Sequence, residues 1–311
     1  MPLGRRSFIQ PSASLEQEPP MKQLEISRAG AAVSRLRSAL VPLVLIASAA
    51  TASAAPDYGN CEVTGEKGSV KLTTVVPGAL SVRPALPAPG WWNGDSLDTI
   101  KDGFEYCMAA NMAYRAGLDR VIVVSRSFAQ ILTGQAQGFD IALSEITITE
   151  ERKKVVNFTE PYFDSDQAVL VKTGTKVDSE SIRKLRLAAR QGSTTLQYVM
   201  ENIKPVEHPK VYAENSAMYA ALAAGQVDAV LYDTPNVLAR AKQSNGMLEV
   251  VGRYHTGEQW GGIVNKDSPN LPVFNKLIAD FKKDGTFERL AAKWLSPTLG
   301  MDPSKLPVLK P

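Results

Sequence analysis

The chain has 311 residues, 44% hydrophobic and 22% charged, with a formal net charge of +3. That length allows two modest lobes with separate cores, and the apolar share excludes a largely disordered chain. Residues 1–54 hold six Lys/Arg and three Asp/Glu, so their +3 accounts for the whole +3 and leaves the rest neutral, without the basic surplus a nucleic-acid partner needs.

The N-terminus reads as an export leader. From Met21, the basic stretch Lys22 to Arg37 precedes a short apolar run, Ala39 to Ile46, and Ala52, Ser53 and Ala54 offer a small-residue cleavage point before Ala55. A membrane anchor would need about 20 apolar residues, whereas this run decays into Ala, Ser and Thr. The motif "GRRSFIQ" lies far ahead of the apolar run with acids between, which points to Met21 as the true start. The expectation is a cleaved leader over 1–54 and a periplasmic mature protein.

Two cysteines follow, Cys61 and Cys107. In an oxidising compartment they permit one disulfide tying the mature N-terminus to the first helix. The alternative is a buried thiol, because "FEYCMAANM" spaces Phe104, Cys107, Met108 and Met112 along one helical face. His208 and His255 have no partner at metal-ligand spacing, so neither a metal nor a cofactor is expected.

Strand and helix patterns then alternate. "KLTTVV" (Lys71 to Val76) predicts a first strand, and "LDTIKDGFEYCMAANMAYRAG" a helix stopped at Gly117. "RVIVV" predicts a second strand, "SFAQILTG" a short helix ending at Gly134, and "FDIAL" a third strand. This βαβαβ order is that of a parallel sheet with helices on its faces. After Pro161 the rhythm restarts: strands "QAVLVK" and "LRLAARQG", helices "STTLQYVMENI" and "SAMYAALAAG", and strand "VDAVLYD". Two closing helices sit in "PVFNKLIADFKKDGTFERLAAKWL", separated at Asp284 and Gly285.

Four stretches in this order, "FDIALSEITITEERKKVVNFTEPYFDSDQAVLV", "ARQGSTTLQYV", "AALAAGQVDAVLYDTPNVLARAK" and "FKKDGTFERLAAKWL", span nearly all of the mature chain. From about Val70 to Leu295 it resembles the extracytoplasmic solute-binding proteins of the amino-acid-binding family (family 3) that serve ABC importers. The resemblance implies an α/β, two-lobed periplasmic-binding-protein-like fold of type II. Each lobe would be a mostly parallel sheet flanked by helices, joined by two crossover strands near Asp164 to Gln167 and Thr256 to Trp260. The division it suggests is an N-terminal extension over 55–69, lobe 1 over 70–165 and 257–311, and lobe 2 over 166–256. It further implies a monomer that closes on a small-molecule ligand, an amino acid or similar, and delivers it to permease subunits of an ABC transporter, without chemistry of its own.

Residue chemistry agrees with the site this implies. In "ITITEER", Thr147 or Thr149 can cap the next helix, and Glu150 and Glu151 suit its positive end. Arg152 in that first turn is misplaced for helix stability, and its planar fork is better explained by a carboxylate arriving in the cleft. In the family, the matching threonine and arginine hold the ligand's amino and carboxylate groups. In "QGSTTLQ", Gly192 allows a tight turn and Ser193 or Thr194 caps a helix whose free N–H groups can face an anion. Asp233, ending "DAVLYD", is either the N-cap of the helix beginning at Pro235 or the acceptor for the ligand ammonium. Phe128 matches an apolar wall residue, and of Trp91 and Trp92 one can stack on the ligand while the other packs in the core. Glu145 stands where the family has a small residue, which points to a polar or basic ligand. A periplasmic dehydratase on the same scaffold, with Glu145 or Glu105 as general acid, is the alternative.

Overall fold

The computed structural model describes residues 55–134 and 137–311. The predicted leader, its cleavage point near Ala54 and the choice of start residue lie outside the described residues. Two five-stranded mixed sheets, each covered on both faces, make an α/β architecture of two lobes.

The first sheet begins at β1 (Ala79–Arg83), followed by α1 (Phe104–Arg115), β2 (Arg120–Val123), α2 (Phe128–Leu132), β3 (Ile141–Ala142), α3 (Glu150–Lys153) and β4 (Asn157–Phe158). Its order is β2-β1-β3-β10-β4, with β10 (Ile263–Val264) arriving from the end of the chain. β1 runs parallel to β2 and β3, while β10 is antiparallel to β3 and β4. The predicted strand at Lys71 to Val76 is a correction. The strand ladder starts only after the Pro77-Gly78 turn; before it Val76 makes a single bridge to Ala79, and the rest of the segment is held by side chains: Thr73 N–H donates to Asn270 Oδ1 and Val75 N–H to Asp140 Oδ1, each at 2.9 Å. "ALSVR" is the better core strand because all five residues are buried.

The second sheet has the order β7-β6-β8-β5-β9. It contains β5 (Phe163–Lys172), β6 (Leu187–Arg190), α4 (Thr194–Tyr198), β7 (Lys210–Tyr212), α5 (Asn215–Ala223), β8 (Ala229–Asp233), α6 (Thr234–Gln243) and β9 (Leu248–Trp260). β6 is parallel to β7 and β8, and β5 is antiparallel to β8 and β9. The period-two alternation of a strand puts Ala168 and Leu170 of β5 into one core and Val169 and Val171 into the other. Val230 and Tyr232 of β8 oppose Ala229 and Leu231 in the same way.

β5 and β9 pair from Phe163↔Trp260 to Lys172↔Leu248 and carry the chain between the sheets, with shifts of register at Ser165/Gln167 and Val169/Leu170. α7 (Leu271–Lys283), α8 (Thr286–Leu290) and α9 (Ser296–Leu299) follow β10, and Phe274, Leu277, Ile278 and Phe281 of α7 fill the first lobe's core. The last residues depart from the expected division. Leu306 packs in the second lobe's core, and Leu309 N–H donates to Arg253 O at 2.8 Å beside β9, so the tail assigned to lobe 1 ends on lobe 2. Cys61 and Cys107 are disulfide-bonded, tying the N-terminal extension to α1 across 46 residues.

Candidate functional site

The two lobes face each other with the carboxyl ends of their parallel strands, where helix starts leave N–H groups unpaired. From the first lobe, the turn after β3 delivers Glu145, Thr147 and Arg152. Thr149 caps α3, its hydroxyl accepting from Arg152 N–H at 3.2 Å, which leaves Thr147 for another task. Arg152 sends both ends of its fork to backbone carbonyls, Nη1 to Thr147 O at 2.6 Å and Nη2 across the cleft to Gly192 O at 3.0 Å. Burial lowers its pKa from the usual arginine value, with Asp233 and Glu258 opposing.

Gly192 adopts a φ of 72°, a conformation that costs a glycine nothing and presents its carbonyl to Arg152. Ser193 is the N-cap of α4, accepting from Leu196 N–H at 3.1 Å and donating to Arg190 O at 2.8 Å. Thr194 therefore has its hydroxyl available to the cleft. Thr147 Oγ1 and Thr194 Oγ1, from opposite lobes, both donate to Glu258 Oε2, at 2.8 and 3.1 Å. Glu258 lies on β9, so a carboxylate of the crossing strand is the point on which the two hydroxyls converge.

Asp233 is buried, ends β8 and makes no side-chain capping bond to α6, whose first residue is Thr234. Its Oδ1 accepts from Gln167 Nε2 at 2.8 Å, and Gln167 in turn accepts from Thr195 Oγ1. Burial first, then the Glu258 carboxylate, raise the Asp233 pKa to about 8. Asp233 thus stands at the N-cap position of α6, as the capping alternative has it, but its carboxylate turns to Gln167 and not to the helix N–H groups.

Phe128 opens α2 after a capping box formed by Ser127 and Gln130. Its ring lies under two guanidiniums, Arg190 at 4.4 Å and Arg152 at 5.7 Å. Arg190 ends β6, is buried and donates to Tyr232 Oη at 3.2 Å. Glu145 holds a φ of 52°, a left-handed backbone that is uncommon for a residue with a Cβ. Its N–H donates to Glu105 Oε1 at 2.8 Å, and its own carboxylate accepts from Asn236 Nδ2 of the opposite lobe. Burial and the neighbouring Glu105 push its pKa well above the normal range. Glu105, gripped by Tyr162 Oη and by Trp92 Nε1 at 2.6 Å, is raised by burial to about 7.

Both tryptophans are 1% exposed. Trp92 belongs to the core, bonded to Glu105 and edge-on to Tyr106 at 5.9 Å, which removes it from the expected ligand wall. Trp91 packs edge-on against Phe104, Phe163 and Trp260 and also borders a cavity of about 230 Å³ between the lobes. Four polar residues here escaped the sequence reading: Arg190, Gln167, Asn236 and Glu258. Arg190 carries a signal, since a charged residue closing an apolar strand is the same mark that singled out Asp233. Glu258 carries none, because its role depends on where β9 crosses.

The model of the bacterial extracellular solute-binding proteins, family 3, matches residues 97–297. The L-cystine-binding protein of Escherichia coli strain K12 is 26% identical over 196 residues, 62% of this chain and 73% of that one. Among solved structures, an ancestral arginine-binding protein bound to glutamine aligns with a TM-score of 0.64 and 31% identity, covering 70% of this chain and 98% of the other. An ancestral amino-acid-binding protein described as a precursor of cyclohexadienyl dehydratase aligns with a TM-score of 0.62 and 29% identity, covering 70% and 95%.

Proposed function

Because the chain belongs to the bacterial extracellular solute-binding proteins of family 3, we propose that it captures a polar amino acid between its lobes outside the cytoplasmic membrane and hands it to an ABC permease. The observation that carries the reading is Arg152, a guanidinium between the lobes whose forks rest on backbone carbonyls and not on a carboxylate. A ligand carboxylate supplies the charge that this fork matches geometrically. Thr147 and Thr194 add hydroxyls from the two lobes, Asp233 accepts the ligand ammonium, and Phe128 forms an apolar wall. Glu145 and Arg190 then meet the ligand's side chain, the first as a hydrogen-bonding carboxyl and the second as a cation. Closure in this scheme is hinge bending about β5 and β9.

Micromolar affinity corresponds to about −8 kcal/mol, within reach of two charge-assisted pairs after ordering costs. No helix among the described residues is long and apolar enough to cross a membrane. Mass spectrometry of small molecules co-purifying with the protein, followed by calorimetric titration of the twenty amino acids, tests the proposal. Absence of heat from Lys, Arg, His, Gln and Asn alike would sink the polar-ligand assignment.

One observation favours a second reading. Burial at the cleft and the neighbouring Glu105 push the Glu145 pKa well above the carboxylate range, the direction a general acid for dehydration needs. Incubation with prephenate or arogenate, followed by the absorbance of the aromatic product, tests it: product formation that Glu145→Gln abolishes would establish the enzyme, and unchanged substrate would remove this dehydratase reading.

A further inference from the structure

Glu258 has no part in the reading above, yet a hydroxyl from each lobe ends on one of its oxygens. Thr147 Oγ1, from the turn after β3, and Thr194 Oγ1, from the first residue of α4, donate to Glu258 Oε2 at 2.8 and 3.1 Å. The crossing strands fix that carboxylate. Glu258 faces Ser165 at the register shift where Asp166 has no partner in the ladder. Asp166 turns back on β9 instead: its Oδ1 accepts from Thr256 N–H at 3.0 Å and from Gly257 N–H at 3.3 Å, and Arg253 bonds its other oxygen. The two residues before Glu258 are thereby pinned. On the following side, Ile148 N–H donates to Gln259 O at 2.8 Å and Thr147 bridges to Trp260, which sets the Thr147 hydroxyl beside the carboxylate.

The consequence lies in where the hydroxyl protons go. A hydroxyl has one proton to donate and two lone pairs, whereas a carboxylate has lone pairs alone. Glu258 therefore takes the proton of both threonines and leaves each of them able only to accept from whatever enters the cleft. An ammonium brings three N–H donors and no acceptor, an α-hydroxyl one donor, an α-keto group none. Thr147, Thr194 and Asp233 together offer three acceptors, the number an ammonium can fill. The charge of Glu258 works in the same sense. Burial first and then Glu258 raise the pKa of Asp233, and at Arg152, which burial lowers, Asp233 and Glu258 pull the other way, so the carboxylate is felt at both ends of the site.

Resting on the amino-acid reading of the cleft, we propose that Glu258 is a positioning residue for ligand selection: by taking the hydroxyl proton of one threonine from each lobe it turns Thr147 and Thr194 into acceptors, and so favours an α-ammonium over an α-hydroxyl or α-keto group. Without an acceptor at 258 the two hydroxyls are free to rotate and to donate, and the distinction fades. Because one hydroxyl comes from each lobe, the selection operates only when the lobes are together on the ligand.

Calorimetric titration of L-lysine, L-arginine, L-histidine, L-glutamine and L-asparagine on the wild type identifies the tightest binder, which is then compared with its α-hydroxy counterpart on Glu258→Met, Glu258→Gln, the Thr147→Val, Thr194→Val pair and the triple variant with Glu258→Met. Each variant is first checked for a melting temperature near wild type. Methionine keeps the length of the side chain and removes the acceptor, whereas glutamine keeps an oxygen to receive the two hydroxyls. The wild type should prefer the amino acid at least thirtyfold. Glu258→Met should reduce that preference about tenfold by weakening the amino acid, while Glu258→Gln holds it within threefold. The threonine pair should reduce it as Glu258→Met does, and the triple variant should differ from the pair less than twofold, since the carboxylate acts through the hydroxyls. The pair carries the test if Glu258→Met fails to fold. Equal losses of both ligands, tighter binding by Glu258→Met, equal behaviour of methionine and glutamine, or additive effects in the triple variant would each overturn the role of Glu258 and leave the amino-acid reading standing. Absence of heat from all five amino acids on the wild type, or binding indifferent to Arg152→Ala, would remove that reading itself and this inference with it.

Discussion

Asp233 is the residue whose charge depends most on what enters the cleft. With its pKa raised to about 8 by burial and by Glu258, it is protonated at neutral pH, yet an acceptor for an ammonium must be ionised. Binding at pH 6.5 should therefore expel about one proton, and binding above pH 9 almost none. Titrations in buffers of different ionisation heat measure this directly, and Asp233→Asn should abolish the release. Arg152→Ala should weaken binding by about 2 kcal/mol or more, because a carboxylate buried without its partner keeps its desolvation cost; a loss of tenfold or less by calorimetry would contradict the role. The position of Arg152, Thr147 and Asp233 between the lobes was legible because each is chemically out of place where it stands: a cation in a helix's first turn, a hydroxyl beside it, an acid closing an apolar strand. Glu258 and Asn236 were not, since one is placed by the crossing of β9 and the other by a lobe-to-lobe contact that no local pattern encodes.

At the scale of elements, helices were read well where glycine or a hydroxyl marks their ends, as with Ser127 and Ser193. The first strand was misplaced because "KLTTVV" and "ALSVR" both suit a strand by residue type, and only the second finds β2 and β3 on either side. The disulfide lay between two readings, as apolar spacing along α1 suits a buried thiol and a buried bridge equally. Its 46-residue loop sets a chain-entropy contribution of about 4 kcal/mol. The Cys61→Ser, Cys107→Ser double variant should lose stability of that order in urea unfolding while keeping ligand affinity, because the bridge sits behind α1 and away from the cleft. The Ser193→Ala cap deletion should cost about 1 kcal/mol and, unlike the disulfide variant, should also weaken binding through the displaced Gly192 to Thr194 turn.

The molecule as a whole carries protonated carboxyls at its centre. Glu105 is raised by burial to about 7 and Asp233 to about 8. A carboxyl whose pKa is higher folded than unfolded favours the folded state while it keeps its proton. Its contribution is full below about pH 4 and is lost as pH rises through 7 to 8. The ligand-free melting temperature should accordingly fall between pH 5 and 8.5, and Glu105→Gln should flatten part of that slope in differential scanning calorimetry. Two-lobed organisation was legible from the repeated strand and helix order, but the end of the chain was not. α9 lies beside α6, with Lys242 Nζ donating to Pro297 O, and Leu299 touches the cores of both lobes before Leu306 and Leu309 settle on the second. The halves are thus laced together at three places, β5, β9 and this strap. In the hinge bending proposed above, opening must also stretch or peel the third, so Leu306 and Leu309 are expected to limit its angle. Loosening those two leucines would widen the gape without touching a single ligand-facing group.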